Sequence, residues 1–157
     1  MTTRRTLLSA LFLMGTIGVW THSSEAEGEA EVIVVIVNKA NAASALEASE
    51  LRQIFQTTKT SWSSGGDATP FNLPAENALR QAFDQAVLGL DPQRVARYWQ
   101  DRKIRGGARA PKLLPSSGAM LAAVAASAGA VGYVKKSEVN QAVKVVAKIV
   151  GGKVGAP

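Results

Sequence analysis

The 157-residue chain contains no cysteine. That absence excludes disulfides, a thiolate metal site and a thiol nucleophile. Histidine occurs once, at position 22, inside a segment expected to be removed before the protein matures. The remainder then lacks the commonest general base and metal ligand. Ser-His-Asp and Cys-His catalysis and zinc sites of the ordinary ligand types go with it. Acidic residues are few, 12 in all, and no spacing pairs them for acid–base work. A carboxylate-only enzyme remains possible, and the chain reads as a non-enzyme. No cofactor is implied, because neither a GxGxxG fingerprint nor a Walker phosphate loop is present. There is no internal repeat.

Long apolar runs are also missing. The longest extends from Leu7 to Trp20, short of the roughly 20 residues that span a bilayer comfortably. It follows Arg4 and Arg5 and precedes the polar, small-residue stretch THSSEAEGEA. A basic start, an apolar middle and a small-residue cleavage region form the secretory signal pattern. Ser24 and Ala26 suit a cut after Ala26, with a second choice after Ala30. The rival readings are an uncleaved anchor and a buried core helix. The paired arginines fit a twin-arginine signal only loosely, and the lack of cysteine argues against a lipid anchor. The expected organisation is a signal peptide over 1–26, a mobile lead over 27–31, one domain over 32–150 and a tail over 151–157. A cut after Ala26 leaves 131 residues, enough for one hydrophobic core. The expected location is periplasmic or otherwise secreted.

Charge is uneven. The formal net charge is +6, and Arg94, Arg97, Arg102, Lys103, Arg105, Arg109 and Lys112 cluster in one stretch. Such a region attracts phosphate, other anions or nucleic acid. The alternative is a solvated helix face followed by a basic loop. Nucleic acid is the weaker partner: export removes the chain from it, and the aromatic and basic interleaving of single-strand binders is absent.

Periodicity predicts alternating strands and helices. EVIVVIVN, 31–38, is β-branched almost throughout and reads as a fully buried strand. Leu51, Ile54 and Phe55 recur at helical spacing and predict a helix ending at Phe55. A polar loop with Trp62 follows over 57–70, and 69–73 reads as a short strand. Pro74 stands at an expected first helical turn. Leu79, Ala82, Phe83, Ala86 and Val87 continue that helix, and Gly89 closes it. Asp91 and Pro92 are expected as N-cap and first residue of the next helix, with Val95, Tyr98 and Trp99 as its buried stripe. A Gly/Pro/basic loop covers 106–115. A helix capped by Ser116 or Ser117 turns Met120, Leu121, Val124 and Ala125 inward and stops at Gly129. Strands are expected at 130–134 and, last, at 142–150. This alternation predicts an α/β class, a layered sheet flanked by helices.

Three segments, taken together, resemble the phosphate-type periplasmic solute-binding proteins of ABC transporters. One is VNKAN with the helix run SELRQIF, 49–55, and Trp62; that family shows a strand ending in "VN", an "LxxIF" helix and a loop closed by Trp. Another is FNLPAENALRQAF, 71–83, against a strand entering a "GSGTR..F" helix. The third is GAVGYV, 129–134, against "GAIGYV". The short, single-lobe members also share the Tyr98-Trp99 helix and the loop seen here as GGARAPK, 106–112. The resemblance implies a single lobe of a type II periplasmic-binding-protein-like fold. It also implies inorganic phosphate or a similar oxyanion as ligand, and an ABC permease or membrane sensor as partner.

By the same resemblance the ligand-binding residues are Asn77, Ala78, Leu79 and Arg80. A helix start offers free amides and the positive end of the macrodipole to an anion. Asn77, Ala78 and Leu79 stand where the family shows Ser, Gly and Thr, and Arg80 matches the family arginine, a residue suited to a bidentate contact. Leu79 cannot replace a threonine hydroxyl. Thr57-Thr58 departs similarly, where family members often show Gly-Lys. The opposing reading is an ordinary capped helix with a solvated Arg80, in an interaction protein that keeps the fold without the ligand. Trp62 is read as a packing plug, and Tyr98 and Trp99 as core.

Overall fold

The computed structural model describes residues 31–107 and 109–157. The expected signal peptide and most of the expected lead lie outside the described residues. In chain order the elements are β1 (Ile33–Asn38), α1 (Ala48–Phe55), β2 (Thr69–Asn72), α2 (Ala78–Leu88), α3 (Pro92–Ile104), β3 (Lys112–Leu113), α4 (Ser117–Ala126), β4 (Ala130–Lys135), a 3-10 turn (Lys136–Glu138), β5 (Val143–Val150) and β6 (Lys153–Gly155). The fold class is α/β, a layered mixed sheet flanked by helices.

The six strands lie in the order β3-β2-β4-β1-β5-β6. β1 pairs antiparallel with β4 on one side and with β5 on the other. β2 runs parallel to both β4 and β3. Ile33 to Val37 are all buried, so both faces of β1 are covered, which is why its sequence is continuously apolar rather than alternating. A bulge between Val35 and Ile36 shifts the register against β5. Val146 is the extra residue there, and it is buried.

Successive residues of β4 point to opposite faces. Tyr133 faces α1 and α2, stacking on Phe83 at 3.9 Å, while Phe55 meets Phe83 edge-on at 4.6 Å. Gly132 faces α4: a Cβ there would lie 2.4 Å from Met120 Sδ, so the lack of a side chain lets α4 approach the sheet. Gly129 has a similar cause. Its missing Cβ would meet the Asp67 carbonyl oxygen at 2.1 Å, and its own carbonyl accepts from Trp62 Nε1 at 3.0 Å. Trp62 is thus a buried plug between two loops.

Several boundaries differ from the sequence expectation. α2 begins at Ala78, not at Pro74, because the Asn77 side chain caps it; Pro74 instead accepts from the Asn77 N–H in the preceding turn. α4 ends at Ala126 with Ser127 as C-cap, two residues before Gly129. Of the α3 stripe only Val95 is buried, since this helix packs on α2 rather than on the sheet, and Tyr98 and Trp99 are half-buried. β5 is not the last strand: Gly151 and Gly152, both at positive φ, turn the expected tail back to pair as β6. Asp91, Pro92, Gly89 and Ser116 hold the capping positions expected of them. No helix among the described residues is long and apolar enough to cross a membrane.

Candidate functional site

β2 carries the chain from the Ala130 end of β4 toward the far end of the sheet, where Leu73 to Asn77 turn it into α2. Asn77 has an extended backbone, and its Oδ1 accepts from the Leu79 N–H at 2.9 Å and the Arg80 N–H at 3.3 Å. Two donors a bound anion would otherwise meet are therefore already engaged. Its Nδ2 makes no hydrogen bond among the described residues and remains a donor. Ala78, the first helical residue, is exposed, and its N–H belongs to the first turn, where no intrahelical acceptor exists.

The other two expected site residues point inward. Leu79 is buried and belongs to the core. Arg80 is only 6% exposed. Its Nε donates to Asp84 Oδ2 at 2.6 Å, one helical turn along, and a terminal nitrogen donates to the Leu73 carbonyl, also at 2.6 Å. The guanidinium is neither solvated nor turned outward. It ties the end of β2 to the first turns of α2 and so fixes the position of the Pro74–Asn77 turn.

Sequence reasoning missed the buried polar cluster behind that turn. Asn72 is buried, and its Oδ1 accepts from the Leu73 N–H and from the Tyr133 hydroxyl. Burial pushes the Tyr133 hydroxyl well above the usual phenol range. Burial likewise raises the Asp84 carboxyl above the ordinary aspartate value, and the neighbouring Arg80 charge offsets this only in part. Asp84 Oδ1 is buried with no hydrogen-bond partner among the described residues. The signal for this pair was legible as Arg and Asp at i and i+4, flanking Phe83 on an apolar helix.

The loop after α3 reaches the start of α2, where Ala110 and Pro111 line one cavity with Ala75 and Gln81. Arg102 lies over the Tyr98 and Trp99 rings at 5.7 and 5.9 Å and donates to the Gln56 carbonyl at 2.8 Å, tying α3 to the end of α1. Lys103 and Arg109 instead border a cavity against Trp99.

No family model matches the chain, and no curated protein does. Solved structures do. An ABC-type phosphate transport receptor from Vibrio cholerae aligns at a TM-score of 0.60 and 18% identity, over 79% of this chain and 51% of that one. A putative phosphate ABC transporter substrate-binding protein from Clostridium perfringens, with bound phosphate, aligns at 0.61 and 22%, over 80% and 48%. A possible phosphate-binding protein from Planctomyces limnophilus aligns at 0.57 and 17%, over 76% and 42%. The chain spans about half the length of the structures it matches, and it has the fold of the matched part.

Proposed function

We propose that this chain is an exported, solute-binding-like module that holds phosphate or a related oxyanion at the start of α2. It would work with an ABC-type phosphate uptake or sensing system, through a permease or a membrane sensor, and without catalysis. The observation that carries this reading is the fold shared with several phosphate-binding structures. Within that fold the start of α2 offers donors at the positive end of a helix of 11 residues. The donors are Asn77 Nδ2 and the Ala78 N–H. Leu79 and Arg80 support the seat from behind: one anchors the first turn in the core, and the other holds the turn in place.

Calorimetric titration of the chain with phosphate, sulfate and arsenate tests the reading. Saturable heat is expected, and its absence at millimolar ligand with folded protein would overturn it. Asn77→Asp is the sharper variant. A carboxylate caps the helix as well as an amide does, but it replaces the Nδ2 donor with a negative oxygen. Phosphate affinity should fall at least roughly tenfold, the loss of a hydrogen bond to a charged group, with thermal stability unchanged.

A second reading is an interaction protein that keeps the fold without the ligand. The inward turn of Leu79 and the enclosed guanidinium of Arg80 favour it. It predicts a folded chain indifferent to all three anions. Micromolar phosphate affinity would exclude it.

A further inference from the structure

A slot opens where α3 passes over α2 and the edge strand β3. Its volume is about 240 Å³. Val95, Ala96 and Trp99 of α3 form one wall, and Pro111 and Leu113 form the other. Its floor is the Arg80–Asp84 pair, and Ala75 and Gln81 border it from the start of α2. A second cavity, of about 440 Å³, adjoins it. The two share Trp99 and Ala110 in their walls, and the second is bordered by Lys103 and Arg109. Neither cation makes an ion pair among the described residues, in contrast to Arg80 and Arg102, whose guanidinium groups are engaged inside the fold. Leu113, 59% exposed, and Ile104, 75% exposed, are two of the large apolar residues that the fold leaves in solvent, and they flank this region in sequence.

An apolar slot opening onto two unpaired cations fits one chemistry. We propose that it is a second binding site, bordering the turn before α2 but distinct from the Asn77–Ala78 seat, for a small amphipathic anion: an organic acid whose apolar body enters the slot beside Trp99 and whose carboxylate meets Lys103 and Arg109. Small-molecule sites of this kind are concave, mostly apolar and oriented by a few polar groups. The apolar wall supplies burial, which a bare oxyanion cannot use. The cations supply orientation, which an uncharged body does not need. Inorganic phosphate therefore has little to gain here, and an aryl or alkyl carboxylate gains on both counts.

The test compares 4-phenylbutyrate with its uncharged analogue 4-phenylbutan-1-ol, followed by nitrogen-15 NMR on the full chain. The acid should shift the Trp99 indole N–H and the Ala96 and Ala110 amides saturably, with the alcohol at least roughly tenfold weaker. The double variant Lys103→Gln, Arg109→Gln should bring the acid down to the alcohol's affinity. Ala96 is exposed, so Ala96→Leu fills the slot without disturbing the core and should abolish both. No saturable shift at millimolar acid overturns the proposal. So does equal binding of acid and alcohol, which would make the slot a purely apolar docking face. Binding of the acid that survives both variants overturns it as well.

Discussion

Asparagines cap helices at both ends of the sheet, and they do so in opposite senses. At one end Asn38 Nδ2 donates to the Val124 and Ala125 carbonyls, at 3.0 and 2.7 Å, and Asn41 Nδ2 donates to the Ala128 carbonyl at 3.1 Å. Their Oδ1 atoms accept from the Ala40 and Ala43 N–H groups. Every polar atom of the two side chains is engaged, and the loop they close is structural. At the other end Asn77 uses only its Oδ1. Equally recognisable motifs thus differ in what they leave over. The side-chain atoms of Asn38 and Asn41 are each engaged within the fold, while the α2 end keeps one side-chain amide without a partner among the described residues and one exposed helix start.

The strongest way to break this comparison is Arg80→Ala. A solvent-facing ligand contact would cost within about 0.5 kcal/mol of stability on removal. An enclosed guanidinium bonded to Asp84 and Leu73 should cost about 3 kcal/mol, because its loss leaves a buried carboxylate and a carbonyl without partners. Urea unfolding of the two proteins decides between these values. A near-neutral result would mean that the bonds to Asp84 and Leu73 hold little, leaving Arg80 free to serve as a ligand contact.

Asn38→Ala sharpens the comparison at a smaller scale. Removing Nδ2 strands two carbonyls at the end of α4 and should cost about 2 kcal/mol. Asn77→Asp, at the other end, should leave stability unchanged. If both substitutions proved equally costly, Asn77 would be as structural as Asn38, and the oxyanion seat would lose its side-chain donor.

Much of the fold was legible for physical reasons that are local. The unbroken β-branched run of β1 requires burial on both faces. Asp91-Pro92 and Gly89 set helix ends through their own backbone chemistry. The site was less legible, because its geometry depends on partners distant in sequence. Arg80 reads as a surface cation until β2 places the Leu73 carbonyl beside it, and Asn72 reads as a strand end until Tyr133 arrives from β4. The slot beside Trp99 was not legible at all, since α3 packs on α2 rather than on the sheet, and periodicity alone does not tell these apart. β6 was missed because a Gly-Gly turn followed by three residues carries little pattern.

Thr57 occupies a backbone position better suited to glycine. It sits just past α1 with φ +55°, where a β-branched residue is strained and glycine is not. Its hydroxyl is buried with no partner among the described residues. Thr57→Gly should therefore stabilise the chain by about 1 kcal/mol, the relief of strain exceeding the entropy that glycine adds to the unfolded state. A loss of stability on this substitution would show that the threonine makes a contribution the strain conceals.

The smallest expected effect concerns the Asp84 carboxyl. Ion pairing with Arg80 and burial pull its affinity for protons in opposite directions, and burial is the larger influence, so the folded chain holds this proton more tightly than the unfolded chain does. Stability then falls with rising pH wherever the folded state carries the extra proton. The contribution is fully present below the ordinary aspartate value, about pH 4, and is lost as pH rises through the folded value. Asp84→Asn cannot titrate, so the stability of the natural protein relative to this variant should decline on going from acid to neutral pH. Urea midpoints of the two proteins across that range give the sign directly. A difference that instead grows with pH would mean that Arg80 outweighs burial. The pair at the floor of the slot would then be held by its own attraction, as the asparagines at the far end hold α4.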